Sequence, residues 1–177
     1  MRGIEPEVAN ADIAQGLGLE TEVGLFPGDL ANRGPYDLIV FNDVLEHIPD
    51  PARTMGHVEA LLAPGGLAVV NLPSSAGALY RIAGLLDRAG MSGTYERMWQ
   101  KGFPSPHISY FNPANLRTMV ETHTGLVQVG THTLPSVSRQ GPWPRIRSSH
   151  PGLAGWAMFA VRSPYSQGIL WLPNDPS

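Results

Sequence analysis

The densest concentration of chemically capable side chains is Asn42-Asp43-Val44-Leu45-Glu46-His47-Ile48-Pro49-Asp50-Pro51. An amide, carboxylates and an imidazole at the end of an apolar run are costly to bury without partners. They mark a place where the chain meets solvent or a ligand. Imidazole takes or gives a proton near neutral pH, and carboxylates accept hydrogen bonds or hold hard cations. Capping and loop solvation are the alternative use of the same residues. Asp50 needs no other, because Asp-Pro ahead of a helix is an N-cap followed by a proline at the first helical position. Comparable junctions hold Glu5, after Arg2-Gly3-Ile4, Asp29, in Pro27-Gly28-Asp29, and His107, which opens His107-Ile108-Ser109-Tyr110-Phe111. A carboxylate at Glu5 can accept hydrogen bonds from both hydroxyls of a ribose. It can equally favour the positive end of a helix that begins after it.

These residues need strands and helices to hold them. Tyr36 to Asn42 carries the β-favouring apolar run Leu38-Ile39-Val40-Phe41 and predicts a central strand covered on both faces. Met55, Val58, Leu61 and Leu62 fall at helical spacing behind Asp50-Pro51, and Pro64-Gly65-Gly66 stops that helix. Leu67 to Leu72 predicts a second buried strand. Strand, helix and strand in this order fit a right-handed crossover in a parallel α/β sheet. Upstream, Met1 to Pro6 reads as the end of a strand, Glu7 to Leu17 as a helix, and Glu22 to Phe26 as a short strand. Downstream, Leu79, Ile82, Ala83 and Leu86 mark an amphipathic helix, and Asn112-Pro113 caps another bearing Leu116, Met119 and Val120. Leu126–His132 and Gly155–Arg162 read as strands. The residues between them form a long Pro-, Ser- and Arg-rich loop of the kind used as a lid. Nothing in the pattern places the segment from Ser163 onward.

Composition narrows the function classes. At 177 residues the chain builds one domain, and 12 basic against 15 acidic residues leave no broad basic face for a nucleic acid. There is no cysteine, which removes disulfides, zinc–thiolate sites and thiol nucleophiles. No apolar run is long enough to span a bilayer, and the N-terminus lacks a signal-peptide pattern. A cytoplasmic protein is expected.

Taken together, Tyr36 to Pro51, then Leu62-Ala63-Pro64-Gly65-Gly66, then Val69-Val70-Asn71-Leu72-Pro73-Ser74 resemble the fourth and fifth strand region of class I S-adenosylmethionine-dependent methyltransferases. The Leu45-Glu46-His47 signature followed by Pro-Gly-Gly is similar to the small-molecule branch. Gly3 to Pro6 resembles the end of that family's second strand, and His107 to Phe111 the element after its fifth. The resemblance implies a Rossmann-like α/β fold, a parallel sheet with helices on both faces and an antiparallel last strand. The first strand and its glycine-rich loop are expected to be lacking. It implies a partial methyltransferase domain over residues 1–162, a helical lid over 76–111 and a C-terminal tail over 163–177. Its cofactor would be S-adenosylmethionine, its acceptor a small molecule, with no nucleic-acid or membrane partner. Glu5 would hold the ribose hydroxyls. Asp29 and Leu30 would line the adenine pocket, and Asn42, Asp43 and Val44 would lie beside the methionyl part. His107, then His47, are the candidates for a base or acceptor-orienting group. Asp43, Glu46 and His47 with a later histidine also resemble the magnesium site of some O-methyltransferases. Glu46-His47 occurs equally in relatives without an evident metal, and no metal is assigned. A non-catalytic binding or assembly module is the alternative. A nicotinamide-dependent oxidoreductase fits the acid at Glu5 but not the absence of a Tyr-x-x-x-Lys pattern.

Overall fold

The computed structural model describes residues 1–102, 105–134 and 166–173. Its first unit is β1 (Arg2–Glu5), α1 (Val8–Gly16) and β2 (Glu20–Val23), with the two strands paired in parallel. A 3-10 turn at Gly28–Asn32 leads to β3 (Tyr36–Asn42), a second 3-10 turn (Leu45–His47), α2 (Pro51–Leu61) and β4 (Leu62–Pro73). Then come α3 (Ala78–Arg88), α4 (Gly93–Met98), α5 (Pro113–His123), β5 (Leu126–Leu134) and β6 (Ser166–Pro173). Among the described residues the strands form two sheets: β1-β2, and a larger one in the order β3-β4-β6-β5.

The crossover from β3 through α2 to β4 is parallel, as the sequence pattern requires. Asp50 caps α2 by accepting the Arg53 amide at 3.0 Å, with Pro51 at the first turn. Asn112 and Asn115 close a reciprocal capping box on α5. Along β4, Leu62, Ala68, Val70 and Leu72 are buried and pack with Met55, Val58, Leu116 and Val120 of α2 and α5. That layer between the sheet and two helices is the core.

Pro64-Gly65-Gly66 does more than stop a helix. It makes a bulge in β4, so that Tyr36 pairs with Leu62 and Leu38 already with Leu67. A Cβ on Gly66 would meet the carbonyl oxygens of Tyr36 and Ala63, each at 2.9 Å, and backbone cannot move aside cheaply. Gly66→Ala is therefore expected to cost about 1–3 kcal/mol by overpacking. Denaturant unfolding checks it.

The expected antiparallel last strand is present: β6 runs antiparallel to both β4 and β5. Three expectations are corrected. First, among the described residues the sheet is interrupted, with β1-β2 standing as a separate pair. Second, β3 is not covered on both faces. Phe41 is buried towards the helices, but Leu38 and Val40, which alternate to the other side, are 54% and 56% exposed. Third, the segment from Ser163 is no mere tail, because Ser166–Pro173 supplies the strand between β4 and β5, with Ile169 and Trp171 buried in the core. The strand expected over 155–162 and the long loop before it lie outside the described residues.

Candidate functional site

Of the predicted residues, Glu5, Asn42, Asp43, Val44 and His47 lie at the carboxyl ends of β1 and β3, where open α/β sheets bind ligands. Asn42 ends β3, and its Oδ1 accepts from Asn71 Nδ2 on β4 at 2.7 Å. Asp43 adopts a left-handed backbone with φ of 52°, while its amide donates to the Asn71 carbonyl at 2.8 Å. Aspartate tolerates that conformation better than most residues. The turn sends Leu45 and Glu46 inward, where both are buried.

The Glu46 carbonyl oxygen accepts from the amides of Ile108 and Ser109 at 2.8 and 3.1 Å. These bonds carry the His107 segment against the β3 end, and the His47 and His107 rings meet edge to face with centroids 4.7 Å apart. His47 Nδ1 lies 3.0 Å from the Pro106 carbonyl oxygen. A carbonyl can only accept, so Nδ1 bears the hydrogen and the neutral ring carries its lone pair on Nε2. His107 Nδ1 bonds with the Tyr110 hydroxyl at 2.9 Å. Glu46 is 2% exposed, and neither carboxylate oxygen has a hydrogen-bond partner in the structure. Burial pushes its carboxyl up to about 7, against the smaller opposing pull of its own backbone and of His47. Asp43 is also raised by burial, with His47 pulling the other way.

The remaining predicted residues divide. A cavity of about 430 Å³ opens between the β1-β2 pair and the edge of β3, of a size that accepts a small molecule. Leu30, Val44 and His47 line it, as do Ile4 and Pro6 on either side of Glu5. Glu5, Asp29, Asn42, Asp43 and His107 are not in its wall. Glu5 is half-buried at the end of β1, and its Oε1 accepts the Glu7 amide at 3.0 Å. That is the helix-start role, and it engages one of the two oxygens. Asp29 is exposed, its amide donating to the Glu22 carboxylate at 3.0 Å. The Leu30 carbonyl accepts from the Tyr36 hydroxyl at 3.3 Å.

Sequence reasoning passed over an aromatic wall beside His107. Tyr110 stacks near Trp99 and Tyr80, at centroid distances of 4.9 and 4.8 Å, and Tyr80 and Tyr95 share a hydroxyl hydrogen bond at 3.0 Å. Burial, aided by that bond, pushes the Tyr80 phenol up to about 12, so it stays neutral. The signal was present as the recurrence of Tyr and Trp between 80 and 110.

The methyltransferase domain family matches residues 2–128, most of the chain. The chain belongs to that family. The C-methyltransferase NovU of Streptomyces niveus is 28% identical to this methyltransferase domain over 136 residues, 74% of the chain. The chain spans 28% of that relative's length. Among solved structures, a methyltransferase in complex with its Haloferax volcanii activator superposes with a TM-score of 0.67 at 14% identity, covering 99% of this chain and 72% of that one. A methyltransferase from Archaeoglobus fulgidus gives 0.61 at 12% identity, covering 96% and 74%. A [4+2]-cyclase, SpnF, gives 0.57 at 17% identity, covering 98% and 67%. Likeness at these identities establishes the α/β fold, and the cyclase shows that the fold alone does not fix the reaction. Among the described residues of this methyltransferase domain, no helix is long and apolar enough to cross a membrane.

Proposed function

We propose that this domain binds S-adenosylmethionine and transfers its methyl group to a small-molecule acceptor. The observation that carries this is the cavity flanked by the ends of β1 and β3, lined by Ile4 and Pro6, the neighbours of Glu5, and by Val44 and His47 of the turn after β3. Glu5 has a carboxylate oxygen left for the ribose hydroxyls, and Leu30 and Val44 supply apolar surface for the cofactor. In the reaction, an acceptor lone pair forms a bond to the methyl carbon as the carbon–sulfur bond breaks and its electrons return to sulfur. The acceptor's proton leaves to a base. Alignment and exclusion of water do most of the work, since the cofactor is already activated. His107 and His47 serve the acceptor side, to orient it or to take that proton, with the aromatic wall beside them to hold an organic ring.

The apolar slot between β1 and β3 fits the same reading. Leu38 and Val40 of β3 and Ile4 of β1 face it, and β3 is an edge strand among the described residues. A further strand with a glycine-rich loop, as the family resemblance implies, would pair there with both and bring backbone amides to the methionyl carboxylate. The slot also supports the second reading, that the 177-residue chain by itself is a non-catalytic binding or assembly module.

Calorimetric titration of S-adenosylhomocysteine separates them. Binding is expected, either to this chain or to a version carrying a strand and glycine loop ahead of Met1. Glu5→Ala should weaken it about 10- to 100-fold, the worth of hydrogen bonds to a charged group. Binding to neither version, with both folded, would overturn the methyltransferase reading in favour of the module.

A further inference from the structure

A second cavity, of about 420 Å³, lies along α3, with Tyr80, Arg81, Gly84, Asp87, Arg88 and Tyr95 in its wall. Arg81, Gly84 and Arg88 recur at spacings of three and four, which sets them on one stripe of the helix. Both arginines are exposed, and among the described residues neither guanidinium has an ion-pair partner. Helix electrostatics account for Arg88, a cation in the last turn, but not for Arg81. Arg81 stands near the positive end of α3, whose first turn holds no acid. Gly84 is not required by packing either: a Cβ there would meet nothing nearer than the Tyr95 ring at 3.9 Å, an ordinary contact. Alanine would fit and would favour the helix by about 1 kcal/mol. What the glycine leaves open is the floor of the groove.

This groove adjoins the corner assigned above to the acceptor. Ser75, also in its wall, follows the carboxyl end of β4, and its amide donates to the Phe111 carbonyl at 2.7 Å. The Tyr80 ring lies 4.8 Å from that of Tyr110, the hydrogen-bond partner of His107, and 5.7 Å from that of Tyr95. Of the two phenol protons in the Tyr80–Tyr95 pair, one bridges the hydroxyls and the other can be given to a third oxygen. Two guanidiniums and a phenol donor, with aromatic surface beside them, suit an oxyanion carried on an organic group. Two cations match the nearly double charge of a phosphate monoester better than the single charge of a carboxylate.

We infer that the α3 groove binds the phosphate of a phosphorylated organic acceptor, whose methyl-accepting end reaches the His107 corner. Asp87, half-buried in the same wall, repels the anion and limits its affinity. That the ligand is the methyl acceptor rests on the methyltransferase reading; the anion site rests on the groove alone.

The test is calorimetric titration of the 177-residue chain, without cofactor, with phenyl phosphate, benzoate and phenol. Phenyl phosphate should bind, benzoate about 10-fold more weakly for its lower charge, and phenol not measurably. Arg81→Gln and Arg88→Gln should each weaken phenyl phosphate about 10- to 100-fold, the worth of hydrogen bonds to a charged group. Gly84→Met, a better helix former, should abolish binding by filling the floor, and Asp87→Asn should tighten it. Arg117→Gln, on α5, should leave it unchanged. If a variant does not fold, wild-type protein decides: phenyl phosphate must shift the amide resonances of Ser75 and Tyr80–Arg88 first. No binding of phenyl phosphate, equal binding of phenol, indifference to both arginine changes, weakening by Asp87→Asn, or first shifts elsewhere would each overturn the inference. Benzoate bound as tightly as phenyl phosphate would overturn the assignment to phosphate. Phenyl phosphate binding without S-adenosylhomocysteine binding by either version of the chain would count against the proposed function alone, and the converse against this site alone.

Discussion

The protein should lose about 3 kcal/mol of stability as the pH rises from about 4.5 to about 7, through Glu46 alone. In the unfolded chain this carboxyl ionises near its ordinary 4.5, whereas burial holds it protonated in the fold up to about 7. Between those values the native state binds the extra proton, so raising the pH draws the equilibrium towards the unfolded chain. Below 4.5 both states are protonated and the penalty is absent; above 7 both are ionised and the penalty is complete. Glu46→Gln keeps the shape and removes the ionisation. Its stability should match wild type at pH 4.5 and exceed it by about 3 kcal/mol at pH 8, a rise in Tm of roughly 2–4 °C per kcal/mol in a chain of this size. Subtracting the two unfolding profiles cancels the titrating groups that do not interact with Glu46. Parallel profiles would show that Glu46 is solvated in a way its burial does not suggest.

Trp171→Ala should be the most damaging single truncation, at about 3–5 kcal/mol. Small domains have only about 5–15 kcal/mol in hand, so the variant should be largely unfolded under mild denaturant. Trp171 is fully buried, and its strand position pairs with Ala68 of β4 on one side and Gln128 of β5 on the other. Removing the ring therefore opens a void at the seam of the sheet. Its Nε1 has no hydrogen-bond partner in the structure. Trp171→Phe gives up some packing but also removes an unsatisfied buried donor, which is worth about 1–3 kcal/mol. It should cost clearly less than the alanine change. Equal losses, measured by chemical denaturation, would mean that ring volume alone matters there; a small loss for Trp171→Ala would remove β6 from the cooperative core.

Much of the crossover could be read directly from the residues, because its determinants are local. Asp50-Pro51 names the start of α2, the spacing of Met55, Val58 and Leu61 names its buried face, and Asn112-Pro113 does the same for α5. Where burial depends on distant partners, the pattern misled. Leu38 and Val40 are as β-favouring as their neighbours, but what covers a strand face is decided elsewhere in the chain. Ile169-Leu170-Trp171-Leu172 resisted placement for the same reason, since its partners in β4 and β5 lie far back in the sequence. The site divides in the same way. The β3 end was visible as a cluster of polar residues following an apolar run. That Glu46 turns inward, and that His107 arrives beside it, depends on the Ile108 and Ser109 amides finding the Glu46 carbonyl.

The order of strands in the larger sheet also dictates when the protein can become itself during synthesis. β4 and β5 are neighbours in the chain among the described strands, yet they do not pair; β6, made last of them, goes between. Until it leaves the ribosome, each of the other two exposes an unsatisfied edge, and β4 exposes an apolar one. Domains tend to fold as units while they are being made, and such open edges are sticky in the interval. A nascent chain paused before Ser166 should therefore be the form that chaperones hold, and the one that aggregates when they are scarce.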